Sequence, residues 1–338
     1  MNTTERVLVY GATGHTGRFV VEELLRRGLT PVLAGRSAAR LAAASDRRLD
    51  HRVVGLEDAD LLREAVADVG AVINCAGPFL DTALPLAHAA VQAGAHYLDV
   101  TAEQPVVQQL YRDLDVPARE AGVTVVPAMA FYGGLADLLA TTALAGHTQA
   151  DEIQVAIGLD RWWPTAGTRE TGARNTATRM VIRDGALAAL PSPAPTGTWS
   201  YPEPLGELEV VELPFSEVIT IHRHLDVGEL RSYLNTAPLE DLHDSATPPP
   251  TATDEVGRSA QQFVVEVVVR RGSDTRRLSA VGRDIYAVTA PIVVEGAVRL
   301  LDGRSQRTGA AAPGQAFDAG DVLAGLEMNV DDLVIHRH

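Results

Sequence analysis

The chain has 338 residues, 35.9 kDa, 46% hydrophobic and 22% charged positions, enough for two domains with their own cores and too apolar for global disorder. A formal net charge of -15 sets up a field that repels phosphate backbones and anionic membranes, so neither nucleic acid nor a membrane is an expected partner. No apolar stretch approaches the roughly 20 residues of a membrane helix, the start shows no signal-peptide pattern, and the single cysteine, Cys75, fits a reducing cytoplasm.

From Arg6 to Val126 short β-branched runs alternate with amphipathic segments. Strands are predicted at Arg6–Tyr10, Pro31–Ala34, Arg52–Val54, Ala71–Asn74, Tyr97–Val100 and Val123–Val126, apolar without alternation as parallel strands buried on both faces should be. Between the first two, Phe19, Val20, Leu24 and Leu25 form a helical stripe that stops at Gly28. Leu61, Leu62, Ala65 and Val66 form another after the capping residue Asp58. Repeated βα units of this kind give a doubly wound parallel sheet.

A helix is predicted around Gly134–Ala145, and then the pattern changes. Ile153–Leu159, Glu207–Leu213, Val218–Leu225, Gln262–Arg270 and Thr275–Val281 read as longer, partly alternating strands, with a helical stretch near Glu170–Ile182. Together they predict an α+β domain on a mainly antiparallel sheet. Pro191–Pro204 and Asp241–Glu255 read as exposed loops, and Ala290–Leu301 and Ala319–Leu326 as helices. The expected division is residues 1–130 as a Rossmann dinucleotide-binding domain, 131–285 as an α+β substrate and dimerisation domain, and 286–338 as C-terminal helices packing back on the first. A homodimer is compatible with it.

The chemistry starts where the first strand ends. Gly11-Ala12-Thr13-Gly14-His15-Thr16-Gly17 joins that strand to a helix. Gly11 permits the tight turn, Gly14 lets backbone approach a pyrophosphate, and Gly17 lets helix and strand pack closely. The unpaired N–H groups and dipole of the helix then face the anion. The second strand ends in Gly35-Arg36-Ser37, where an NAD site places a carboxylate for the ribose 2′-hydroxyl. A guanidinium there holds a 2′-phosphate instead, with Arg40 in support, so the expected cofactor is NADP(H). The fourth strand ends in Asn74-Cys75-Ala76-Gly77-Pro78, small residues suited to close passage beside the nicotinamide ribose. Cys75 reads as a packed residue rather than a nucleophile.

All 29 residues of the Lys+Arg class are arginine. That removes Schiff-base catalysis and the Tyr-x-x-x-Lys pair of ordinary short-chain dehydrogenases. A proton donor must come from Tyr, His, Asp, Glu, Cys or water. Tyr132, in a glycine-rich loop at a strand's carboxyl end, is the first candidate, and Glu103, just after the fifth strand, the second, its other reading being a helix-start carboxylate. Trp162 and Trp163 are candidates for an apolar pocket wall, and Arg169 or Arg174 for a substrate carboxylate clamp. His222 and His224 share one face of an expected strand, but no further ligand completes a metal site, so no metal is expected.

GATGHTG, RFVVEELLRRG, LAGRS, VINCAGPF and QAGAHYLDVTAE, in this order over roughly the first 130 residues, resemble the saccharopine dehydrogenase-like oxidoreductases, a group that includes trans-acting enoyl reductases. The resemblance implies a Rossmann domain whose chain crosses into a substrate domain and returns through a C-terminal helix. It implies that Gly11, Thr13, Gly14, His15, Thr16 and Gly17 cradle the cofactor phosphates and that Arg36 and Ser37 hold the 2′-phosphate. Asn74, Ala76, Gly77 and Pro78 would border the cofactor, and Asp99, Thr101 and Glu103 would stand at the active-site end of the fifth strand. Many members carry an acid–serine–proline cluster after the sixth strand. Here Ala130–Asp137 replaces it, so that role does not transfer. The implied activity is NADPH-dependent reduction of a C=N or activated C=C bond in a small molecule. The alternative is a non-catalytic NADP(H)-binding regulator similar to NmrA-like sensors, which share the GATGxxG opening.

Overall fold

The computed structural model describes residues 5–45 and 49–337. The segment before Glu5, on which the expectation about a signal peptide bears, lies outside them.

The first half is a run of βα units: β1 (Arg6–Tyr10), α1 (His15–Arg26), β2 (Thr30–Gly35), α2 (Ala38–Ala44), β3 (His51–Val53), α3 (Ala59–Val66), β4 (Ala71–Asn74), α4 (Phe79–Gln92), β5 (His96–Asp99), α5 (Gln104–Glu120) and β6 (Thr124–Val126). Its parallel strands lie in the order β6-β5-β4-β1-β2-β3. That is the doubly wound arrangement, with the switch point between β1 and β4, where such sheets bind ligands. The β1 and β4 side chains from Val7 to Val9 and from Ala71 to Ile73 are fully buried, as helices on both faces require. Asp58 caps α3 by accepting from the N–H groups of Asp60 and Leu61. Leu61, expected in the apolar stripe of that helix, is half exposed; Leu62, Ala65 and Val66 form the buried face.

After a kinked loop at Phe131–Leu135, with Tyr132 extended and Gly133 at φ +91°, come α6 (Ala136–Ala143), β7 (Gln149–Leu159), α7 (Ala166–Arg174), β8 (Met180–Arg183), β9 (Ala186–Ala189), β10 (Thr196–Ser200), β11 (Glu207–Glu212), α8 (Glu217–His222), β12 (Asp226–Asn235), α9 (Ala237–His243), β13 (Gln262–Arg271) and β14 (Asp274–Arg283). The chain closes with α10 (Thr289–Leu301), β15 (Gly309–Ala310), α11 (Pro313–Ala316), α12 (Ala319–Asn329) and β16 (Val334–Arg337). The second sheet runs β10-β11-β12-β7-β13-β14-β16, antiparallel except for the β12–β7 pair, with β8 attached to β12 and β9 to β8. Its inner face, including Ile153, Val155, Phe263, Val265 and Leu230, is buried and packs on α6 and α8. One continuous apolar core joins both domains.

Several expectations change. Val218–Leu225 is not a strand: its first residues form α8 and the strand is the following β12. The β-branched run of Val218, Ile219 and Ile221 suggests a strand, but burial against α5 and α6 overrides that weak propensity. The stretch Glu170–Ile182 splits between α7, which ends at Arg174, and β8. Pro191–Pro204 contains β10, an edge strand of the second sheet, and α9 runs into the expected loop from Asp241.

The C-terminal segment serves both domains. Helix α10 packs on α1, β4 and β5, β15 extends the first sheet beside β6, and β16 extends the second beside β14. No helix among the described residues is long and apolar enough to cross a membrane.

Candidate active site

A cleft of about 540 Å³ opens at the carboxyl ends of β1, β2, β4 and β5 and is walled on its other side by the second domain. Its floor is the β1–α1 turn. Gly11 has φ +81°, and a Cβ there would come within 3.0 Å of Ala76 N and Cys75 C. A Cβ on Gly17 would lie 2.2 Å from the Gly11 carbonyl oxygen. The turn is held by Gly11 N–H donating to Ala34 O and Gly14 N–H donating to Gly11 O, both at 2.9 Å. Gly14 is the N-cap of α1 with no side-chain cap, and the first helical turn has no acidic residue. Free N–H groups with an unopposed positive dipole end fit a diphosphate.

Thr13, Gly14, His15 and Thr16 line the cleft, as do Arg36, Ser37 and Arg40 after β2 and Ala76 and Gly77 after β4. Ser37 also caps α2, accepting from Arg40 N–H at 3.4 Å. No carboxylate follows β2 directly, and both Arg36 and Arg40 line the cleft there. The residues therefore fit NADP(H).

Gly17, Asn74 and Pro78, expected to border the cofactor, do not line the cleft. Gly17 acts through close packing of helix on turn. Pro78 is the N-cap residue of α4. Asn74 is fully buried and shapes the β4 loop: its Oδ1 accepts from Ala76 N–H at 3.0 Å while Nδ2 donates to Thr82 Oγ1 at 3.0 Å and Tyr97 Oη at 3.2 Å. Tyr97 in turn donates to Asp99 at 3.1 Å. Burial pushes Asp99 up to about 6, against N–H groups from Ala128 and Thr101 that favour its charged form. Burial also pushes the Cys75 thiol up, with Asp99 adding to it, which makes Cys75 a poor nucleophile.

Glu103 is only 1% exposed and lines the cleft. It is the N-cap residue of α5 but makes no side-chain bond to that helix. Its Oε1 instead accepts from Phe79 N–H, at the start of α4, at 2.9 Å, while Oε2 is buried without a partner. Burial pushes the carboxyl up to about 7, opposed by N–H groups of Phe79 and Leu80 and reinforced by the charges of Asp99 and Asp81. A carboxyl that changes protonation near neutral pH beside a cleft is suited to proton transfer.

Tyr132 also lines the cleft and leaves its buried hydroxyl unpartnered. Its ring stacks on Phe215 at 4.4 Å and on Trp162 at 5.9 Å between centroids. Burial holds its phenol well above the usual range, with Tyr286 and Glu217 adding to it, so it is a far weaker acid than Glu103. Trp162 joins this wall. Trp163 does not line the cleft, and Arg161 lies over its ring.

The two arginines expected to clamp a substrate are taken by other contacts. Arg169 donates to the carbonyls of Leu242, Asp244 and Thr247, and Arg174 pairs with Asp81. Arg179, which sequence reasoning missed, lines the cleft instead. So does Tyr286, whose hydroxyl gathers Trp162 Nε1 at 3.0 Å, Thr165 N–H at 3.4 Å and Thr168 Oγ1 at 2.9 Å, and whose ring meets His15 edge-on. The one sequence signal for Tyr286 is an aromatic residue just past a strand end. His222 and His224 lie at and beyond the end of α8, and His224 Nε2 contacts Asp137 Oδ1 at 2.7 Å. Among the described residues no three potential metal ligands come together.

Comparison with known proteins places the first half. Residues 7–126 match the family described as the saccharopine dehydrogenase NADP binding domain. A lipid droplet localized protein of Caenorhabditis elegans is 32% identical over 147 residues, covering 39% of this chain and 34% of the relative. A saccharopine dehydrogenase-like oxidoreductase of Bos taurus is 29% identical over 152 residues, covering 39% and 35%. The matched region thus spans about a third of these relatives' length. Saccharopine dehydrogenase (L-Glu forming) from Saccharomyces cerevisiae, solved without ligand, superposes with a TM-score of 0.70 over 99% of this chain and 100% of that one, at 12% identity. That match shows a shared two-domain fold.

Proposed function

Because residues 7–126 match the saccharopine dehydrogenase NADP binding domain family, we propose that the chain is an NADPH-dependent reductase of a C=N or activated C=C bond in a small molecule. The observation that carries the reading is Glu103, a buried carboxyl poised near pH 7 in the same cleft as the dinucleotide turn. When bound, NADPH supplies a hydride. The β1–α1 turn, Arg36 and Arg40 hold it, and the loop from Ala76 to Gly77 lets it pass close to the backbone. Tyr132, Trp162 and Phe215 pack an apolar substrate and keep water out. Glu103 gives the proton from its unpartnered carboxyl oxygen, and Tyr132 positions rather than protonates.

Continuation of the cleft past the phosphate turn into this aromatic wall favours an enzyme over a non-catalytic sensor, whose nicotinamide end would be closed off. The cytoplasm is the proposed compartment, on the strength of the single thiol.

The test is loss of absorbance at 340 nm with a panel of imines and enones. Glu103→Gln is expected to lower turnover about a hundredfold or more while calorimetry shows NADPH affinity unchanged. The fold raises the Glu103 pKa, so its stabilising contribution is full below the ordinary value of 4.5 and lost as pH rises through about 7. Wild-type turnover, which needs the protonated acid, should fall over the same upper range, and Glu103→Gln should flatten that limb. NADPH binding without oxidation across the whole panel would count against the enzyme.

A further inference from the structure

Arg179 is the cleft-lining arginine of the second domain's wall. Its guanidinium lies 5.0 Å from the centre of the Phe215 ring, and Nη1 donates to Pro214 O at 2.6 Å. Among the described residues no carboxylate pairs with it. Glu217, the acid whose field reaches it, turns its own carboxylate to Phe215 N–H at 2.8 Å. The two arginines of α7, on the same side, are occupied: Arg169 by three carbonyls and Arg174 by Asp81. A half-buried cation whose one protein partner is a neutral carbonyl is incompletely compensated, and none of its nitrogens is both sealed and unpartnered. Its remaining donors are therefore not sealed off, on a residue that lines the cleft.

The fork of donors sits beside a flat apolar wall, because Phe215, under the guanidinium, also stacks on Tyr132, which stacks on Trp162. We propose that Arg179 anchors a carboxylate of the substrate, whose unsaturated apolar body lies along Tyr132, Phe215 and Trp162. The substrate class is thus a small unsaturated carboxylic acid or its imine counterpart. A planar guanidinium matches a carboxylate with two parallel hydrogen bonds. One such cation balances a single charge, and Glu170, also on the cleft, disfavours a phosphate dianion. The proposal rests on the reductase reading of the same cleft and adds the substrate class to it.

The test uses the full chain loaded with NADP+ and two isosteric probes, trans-cinnamate and trans-cinnamamide, with dissociation constants from saturation-transfer NMR. Wild-type protein is expected to bind the acid at least about tenfold more tightly than the amide. Arg179→Gln should erase that preference while NADP+ affinity stays unchanged by calorimetry, and Arg179→Lys, which keeps the charge and loses the fork, should retain part of it. Equal or undetectable binding of both probes to wild type, or a preference that survives in Arg179→Gln, overturns the proposal. An Arg179-dependent preference in a protein that oxidises NADPH with no imine or enone upholds the anchor and removes the reductase reading.

Discussion

The two walls of the cleft are built on opposite principles. The cofactor wall is made of main chain: a turn with positive φ at Gly11, an uncapped helix start at Gly14 and a run of small residues after β4. The substrate wall is made of side chains, with Glu103, Tyr132, Trp162, Arg179, Phe215 and Tyr286 each delivered by a different segment. A wall of backbone admits one solution, because a Cβ in the wrong place closes it. A wall of side chains is rebuilt by substitution while the sheet behind it stays the same. The family match falls on the first domain, residues 7–126, whereas the superposition over 99% of the chain, at 12% identity, shows the fold alone.

The hardest test of that contrast is Gly17→Ala. The added Cβ would stand 2.2 Å from Gly11 O and 2.9 Å from Ala12 Cα, both main chain that cannot yield cheaply. The expected loss is about 3 kcal/mol of stability, read by chemical denaturation, with NADPH affinity down at least about tenfold by calorimetry. A variant with wild-type stability and affinity would mean that the turn is not constrained by close packing. Next in size, Arg36→Ala should weaken NADPH by about tenfold to a hundredfold through loss of a charge-assisted contact and leave NADH unaffected. Equal losses for both coenzymes would deny Arg36 its role at the 2′-phosphate. The smallest effect is expected on the side-chain wall. Tyr286→Phe leaves Trp162 Nε1 without its acceptor and should cost about 1–2 kcal/mol, with a raised KM and little change in NADPH binding. Weakened NADPH binding as the main effect would instead make Tyr286, through His15, part of the cofactor wall.

The same division decides what the sequence makes legible. The glycine spacing, the arginine after β2 and the small residues after β4 are local and were readable in chain order. Asn74 is read as a cleft residue because its neighbours Ala76 and Gly77 line the cleft, while its own side chain turns inward to Thr82 and Tyr97. Glu103 is readable as a candidate, but its raised pKa comes from burial, against the N–H groups of Phe79 and Leu80 at the start of α4, and that contact joins residues 24 positions apart. Arg179 and Phe215 carry no local mark, and Tyr286 only its place just past a strand end, since periodicity says nothing about loop residues whose facing is set by tertiary contact. Helix α8 reads as a strand from its β-branched run because packing on α5 and α6, which overrides that propensity, is not local.

Gln104 has a mechanical consequence. From the first turn of α5 its amide Nε2 donates to Met180 O and Phe215 O, each at 2.9 Å, and its Oε1 accepts from Met180 N–H at 2.7 Å. One side chain thus rivets the dinucleotide half to both the strand after Arg179 and the loop that carries Phe215. Hinge opening between the halves would have to break all three bonds at once.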